Sequence, residues 1–270
     1  MNEKNFEYLK DQIKFTGFGD ALENDLQAKL QKQTPEFQLS YQTKFGNDPI
    51  VAALQFKKSD QSDMYFFNRY NLSFKPEHSP DKMEQTFYIG KENNITLKEA
   101  YNLMSGRAVN KGLTTKEGQV YNAWLQLDFK QTDPNGNHKL KQYHQNYGFD
   151  LEKTLTKHPI KELSNEPDKS RLLESLQKGN KQSVTFIQDN KEQKHFVEAN
   201  PRFKSITIYD SNLQRLGSRQ SKEEKQALGE SNTIKNEVTK ESLKQSQKSD
   251  NPEMKQATNR RKTKQSRSLS

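Results

Sequence analysis

Lys139, Lys141, Tyr143, Gln145 and Tyr147 occupy alternate positions, and on an extended chain they share one face. Cations beside exposed aromatic rings can neutralise phosphates and stack bases, which is the chemistry of a nucleic-acid contact. The same alternation describes a tyrosine-rich strand face covered by a helix, since tyrosine and phenylalanine are common in ordinary strands. A second stretch, 65–70, interleaves Tyr65, Phe66, Phe67 and Tyr70 with Arg69. A third lies at the C-terminal end, where Lys255, Arg260, Arg261, Lys262, Lys264 and Arg267 occur in sixteen residues without an acid. Such a cluster binds phosphates weakly and with strong salt dependence. It also fits a tail that only keeps the chain soluble. The nucleic-acid reading rests on Lys139, Lys141, Tyr143, Tyr147, Arg260, Arg261, Lys262, Lys264 and Arg267. Its partner would be DNA, RNA or a DNA-processing protein.

Other chemistries find less support. The chain has no cysteine, so it has no disulfide framework and no thiolate zinc site. His78, His138, His144, His158 and His195 are scattered, and no His-Glu-x-x-His pair, nucleophile elbow or Walker loop occurs. Gly17-Phe18-Gly19 precedes a helix, but no strand precedes it and the third glycine of a dinucleotide fingerprint is replaced by Leu22. It reads as an interhelical turn. Asp60 and Asp63 flank a loop, and Asp128 alternates onto the outward face with Trp124 and Gln126. No residue is assigned a catalytic, cofactor-binding or metal-binding role, and no cofactor is expected. An enzyme with an unrecognised site stays as an alternative.

The elements that would carry these residues follow from periodicity. Phe6, Leu9 and Ile13 predict a helix over 3–14, broken by Gly17 and Gly19. Asp20 with Glu23 predicts a cap for a second helix striped by Leu22, Leu26 and Leu30. From Phe37 the period becomes two. Phe37, Leu39 and Tyr41 form one strand, then Ile50, Ala52, Leu54 and Phe56 another; Phe66, Tyr70, Leu72 and Phe74 form a third, with a short strand over 86–89. Thr96 and Glu99 make a capping box before a helix that Gly106 stops. Strands over 119–130 and 138–148 flank the turn Asp133-Pro134-Asn135-Gly136. Asp150 caps a short helix, another spans 167–178 up to Gly179, and strands follow at 183–188, 194–199 and 203–209. Helices followed by antiparallel meanders make the fold class α+β.

All 26 aromatic residues lie at or before Tyr209. Residues 218–270 hold 8 apolar residues in 53, too few to offset the entropy of ordering a chain. The expected organisation is an α+β module over 1–92, a second over 93–216 that can be continuous with the first, and a disordered basic tail over 217–270. The tail carries 13 Lys/Arg against 7 Asp/Glu, so most of the net charge of +9 sits there. No apolar run approaches membrane-spanning length, and residues 1–14 lack the apolar stretch of a secretory signal. A cytoplasmic location without membrane contact is expected. Nothing in the pattern bears on the oligomeric state.

Several segments also resemble a family of uncharacterised proteins carried by Bacteroidetes-type bacteria, commonly on conjugative or integrative elements. They are 65–70, 95–111 (Ile-Thr-Leu-Lys-Glu-Ala-Tyr-Asn-Leu-Met-Ser-Gly-Arg-Ala-Val-Asn-Lys), 121–129, 143–155 and 196–210. The resemblance covers most of 1–215 and excludes the tail. It implies an accessory role in mobile-element biology and assigns no residue a role. The expected function is therefore a non-enzymatic binding protein of mobile genetic elements. A protein–protein adaptor without a nucleic-acid role is its rival.

Overall fold

Phe6, Leu9 and Ile13 are all buried along one stripe of α1 (Glu3–Ile13) in the computed structural model, which describes residues 1–75 and 81–216. The expectations that fall on His78 and on the basic tail, including Arg260, Arg261, Lys262, Lys264 and Arg267, lie outside the described residues. Asn2 caps α1 by accepting from the Asn5 N–H at 3.1 Å. The buried Asn5 side chain then pins the helix to a strand. Its Nδ2 donates to the Tyr65 carbonyl at 2.9 Å, and its Oδ1 accepts from the Tyr65 N–H at 2.7 Å.

The turn after α1 is a π-helical segment over Lys14–Phe18, made accessible by Gly17 at φ 97°. It carries Phe18 into the core, edge-on to Tyr41, Phe67 and Tyr70 at centroid distances of 5.4, 6.4 and 5.3 Å. This is the role of the Gly-Phe-Gly sequence. Asp20 does not supply the expected side-chain cap of α2 (Glu23–Gln31), where Leu22 occupies the N-cap position. Its carboxylate pairs with Lys14 at 3.2 Å, while its carbonyl accepts from Glu23 at 3.2 Å.

The chain is α+β. Among the described residues, five helices accompany three antiparallel sheets. The first sheet has the order β1 (Glu36–Phe45), β2 (Asp48–Lys58), β3 (Tyr65–Phe74), β4 (Met83–Tyr88). A bulge in β3 corrects the sequence reading. Gln55 pairs with Arg69 and Phe56 with Phe67, leaving Asn68 as an extra residue. The parity changes there, so Tyr65 and Phe67 are buried on one side of the bulge and Tyr70, Leu72 and Phe74 on the other, while Phe66 points out. Three of the four rings in the interleaved stretch 65–70 are therefore core.

α3 (Leu97–Met104) carries the expected capping box, with Thr96 Oγ1 accepting from Glu99 N–H and the Glu99 carboxylate accepting from Thr96 N–H. The second sheet is β5 (Val109–Thr114), β6 (Val120–Thr132) and β7 (His138–His144). β5 has no alternating signature, because Asn110, Lys111 and Gly112 interrupt it; pairing with β6 makes it a strand. α4 (Leu151–Leu155), capped by Asp150, and α5 (Glu166–Gln177) lead to the third sheet, in the order β10 (Ser205–Tyr209), β9 (Lys191–Asn200), β8 (Gln182–Gln188).

Met1–Leu216 form one unit with two hydrophobic cores. The first joins α1, α2, the four-stranded sheet and α3, and extends past residue 92 to Val109, Leu125 and Leu127. The second gathers Trp124, Leu155, Leu172, Leu176 and the third sheet. β6 thus gives Leu125 and Leu127 to one core and Trp124 to the other. This corrects the outward assignment of Trp124 and Asp128: both are buried, because the strand is covered on both faces, whereas Phe129 is exposed.

The two cores meet where α3 ends against the end of α5. Asn102, fully buried, donates through Nδ2 to Lys178 O at 2.7 Å and Asn180 Oδ1 at 2.9 Å. Its Oδ1 accepts from Arg107 Nη2 at 2.6 Å, and Arg107 Nε donates to Gly179 O at 3.0 Å. Gly179 is at φ 78°, and a Cβ there would lie 2.8 Å from the Ala108 carbonyl oxygen and 2.9 Å from Val109 Cγ2. Replacing Gly118, at φ 83° with nothing within 4 Å, should cost about 1 kcal/mol of left-handed strain in Gly118→Ala. Gly179→Ala adds overlap with backbone and should cost on the order of 3 kcal/mol. Urea unfolding of the two variants checks this, with equal losses as the contrary result.

Candidate nucleic-acid interface

β7 ends at His144, and Gln145–Tyr147 turn as a single 3-10 segment. Lys139, Lys141 and Tyr143 share a face as expected, whereas Tyr147 leaves the strand. Opposite them on β6 lie Asp128, Gln126 and Trp124 in register. Lys141 Nζ bonds Asp128 Oδ2 at 2.7 Å, so this cation is spent on an internal carboxylate. Lys139 is exposed. Tyr143 is half-buried and packs against the second core, as a helix-covered strand face requires. Of the four expected head residues, Lys139 and Tyr147 remain open, while Lys141 and Tyr143 hold the fold together.

Tyr147 finds different neighbours. Its ring lies 5.1 Å from that of Tyr143, and its hydroxyl donates to the Arg202 carbonyl at 3.0 Å. Lys204 Nζ sits 4.7 Å from the Tyr147 ring centroid. The turn that brings Lys204 there is Pro201–Phe203, closed by Lys204 at φ 51° between β9 and β10. Proline favours its first position, and its tightness turns Phe203 outward, 65% exposed, with Arg202 Cζ 5.2 Å from its centroid. The result is a surface of two open rings, Tyr147 and Phe203, with two cations beside them. Neither Arg202 nor Lys204 pairs with a carboxylate among the described residues. The gap between the expected strands over 194–199 and 203–209 signalled a turn in the sequence. Nothing signalled that it would meet a residue 55 positions away.

The four described histidines form no common site. His144 stacks on Tyr121, His138 lies edge-on to Phe129, and His158 and His195 both stack on Phe186. Among the described residues no group of three His, Asp or Glu side chains is placed to hold a metal ion, and no helix is long and apolar enough to cross a membrane.

The hydrogen bond from Lys141, helped by the Lys130 N–H, holds the Asp128 carboxyl below the usual carboxylate range. A carboxylate with a lowered folded pKa stabilises the protein above its unfolded value, about pH 4, and loses that contribution as pH falls further. Asp128→Asn should therefore unfold more easily near neutrality, yet lose less stability than the parent between about pH 5 and pH 3. Urea midpoints across that interval measure the difference, and parallel acid limbs would contradict it.

Compared with known proteins, the chain matches no family model, no curated protein and no solved structure.

Proposed function

We propose that this chain is a non-enzymatic binding protein that contacts nucleic acid, in the accessory mobile-element setting that its resemblance implies. The supporting observation is the pairing of open rings with cations at Tyr147, Phe203, Arg202 and Lys204. Bases stack on such rings whatever their identity, and the adjacent cations meet the phosphates, so single strands are the natural ligand. Lys139, exposed at the start of β7, offers a further phosphate contact away from those rings. Arg260, Arg261, Lys262, Lys264 and Arg267 add phosphate contacts by sequence.

The adaptor reading is favoured by a separate feature. Tyr8 and Phe15 are 52% and 77% exposed near the π-helical turn, and they carry no cation over their rings. A partner protein bound there would leave the Phe203 surface free.

Gel-shift titrations of single-stranded oligonucleotide at two salt concentrations separate the two readings. Phe203→Ala should weaken binding by on the order of 1 kcal/mol or more, with little change in salt slope. Deleting 255–270 should flatten the slope by about 0.7 for each phosphate that the tail no longer neutralises. Absence of binding by the full-length chain at low salt would remove nucleic acid and leave the adaptor.

A further inference from the structure

Two adjoining hollows, of about 740 and 370 Å³, share Phe45, Gly46, Tyr101, Arg107 and Lys181. They are unlike each other. The smaller contains Lys98, Arg107 and Lys181 and no carboxylate among its lining residues. The larger is walled mainly by Phe45, Phe74, Met83, Met104, Phe129 and Leu213, with Asp48 as its acid.

None of the three cations forms an ion pair with a carboxylate among the described residues, and they face one another. Lys98 Nζ lies 4.2 Å from the Phe45 centroid and 4.8 Å from that of Tyr101, and Arg107 Cζ lies 5.2 Å from Tyr101. Lys181 Nζ lies 3.8 Å from the Tyr209 centroid. The carboxylates within reach are occupied by phenols: Tyr101 donates to Asp48 Oδ2 at 2.7 Å and Tyr209 to Glu198 Oε1 at 2.7 Å. Burial, and then repulsion from Arg107, lowers the pKa of Lys98; burial likewise lowers that of Lys181, with Glu198 opposing and Arg107 adding to it. Gathering like charges, two of them half-buried, costs free energy, which a bound anion would offset. The Arg107 fork is also held ready. Its Nε and one Nη2 hydrogen are taken by Gly179 and Asn102, which fixes the guanidinium plane beside the Tyr101 hydroxyl with N–H groups left over for a ligand.

We infer that these hollows form one binding site for a small aryl phosphate. Its phosphate would lie among Lys98, Arg107 and Lys181 in the smaller hollow, and its apolar ring against Phe129, Phe74 and Met104 in the larger. Three cations match a dianionic phosphate better than a carboxylate. The apolar wall distinguishes the ligand from free phosphate. The site is independent of the Phe203 surface, and neither reading needs the other.

Calorimetric titration of the full-length chain with phenyl phosphate, benzoate, inorganic phosphate and phenol tests the inference. Phenyl phosphate should bind saturably, with the other three at least roughly tenfold weaker. Arg107→Lys keeps the charge but loses the fork and should weaken phenyl phosphate by roughly tenfold. Because Arg107 also holds the junction of the two cores, Lys98→Gln provides the same loss of phosphate affinity from an exposed position. Phe129→Ala should weaken phenyl phosphate and leave inorganic phosphate unchanged. Inorganic phosphate binding as tightly as phenyl phosphate, phenol binding as tightly as its phosphate, or an unchanged affinity in Lys98→Gln would each overturn the site. So would the absence of saturation at millimolar phenyl phosphate.

Discussion

The side-chain amide of Asn102 is the interaction on which the remaining architecture depends. It is fully buried, and from the last turn of α3 it donates to the Lys178 carbonyl at the end of α5 and to the Asn180 side chain. A helix end inside a protein leaves unpaired carbonyl groups, and here another helix supplies the donor. This contact adds a polar tie to the joining of the two cores that β6 makes with Leu125, Leu127 and Trp124. Arg107 follows directly, because its guanidinium bonds both Asn102 and Gly179 and cannot move without releasing them. Gly179 has no side chain because the Ala108 carbonyl occupies the space a Cβ would need. The same close approach places Lys181, two residues on, beside Arg107.

The lysines show how position decides what a charge can do. Lys111 reaches Glu99 at 3.0 Å and Asn94 O at 2.9 Å, tying β5 to the start of α3 through a largely buried pair. Lys141 is tied to Asp128 in a similar way. Both cations act as fasteners, and removing Lys111 or Lys141 strands a buried carboxylate in a poorly solvated place. Lys98, Lys181 and Lys204 are different, since their Nζ atoms rest over aromatic rings. A ring attracts a cation without neutralising it, so the charge stays available to a visiting anion.

Much of this was legible along the chain wherever a local rule governs. The capping box at Thr96 and Glu99, the Asp150 cap, the Asp133 turn and the alternation through β1 and β2 all formed as local chemistry dictates. What could not be read depends on partners distant in sequence. The bulge at Asn68 inverts a pattern that looks continuous. β5 exists because β6 pairs with it. Asp128 and Trp124 are buried because β6 is covered twice, which alternation along one strand cannot reveal. The site residues divide in the same way. Lys141 and Tyr143 were placed on the right face, but their neighbours absorb them. Arg202, Phe203 and Lys204 became a surface only when a tight turn met Tyr147, and the Arg107 cluster required α3 and α5 to touch.

One small contact has a larger meaning for how this protein behaves in a crowd. At the outer edge of β4, Gln85 acts as a substitute strand residue: its Oε1 accepts from the His138 N–H at 2.8 Å and its Nε2 donates to the His138 carbonyl at 3.2 Å. Beside it the Thr86 N–H is taken by Asn137 Oδ1 at 2.8 Å. An open sheet edge is a template on which another copy can grow, and β4 is the last strand of its sheet. The β6–β7 connection closes that template with the Asn137 side chain and the His138 backbone. At the β4 edge a side-chain amide thereby sets where the sheet stops, and takes the backbone N–H that a neighbouring molecule's strand would need.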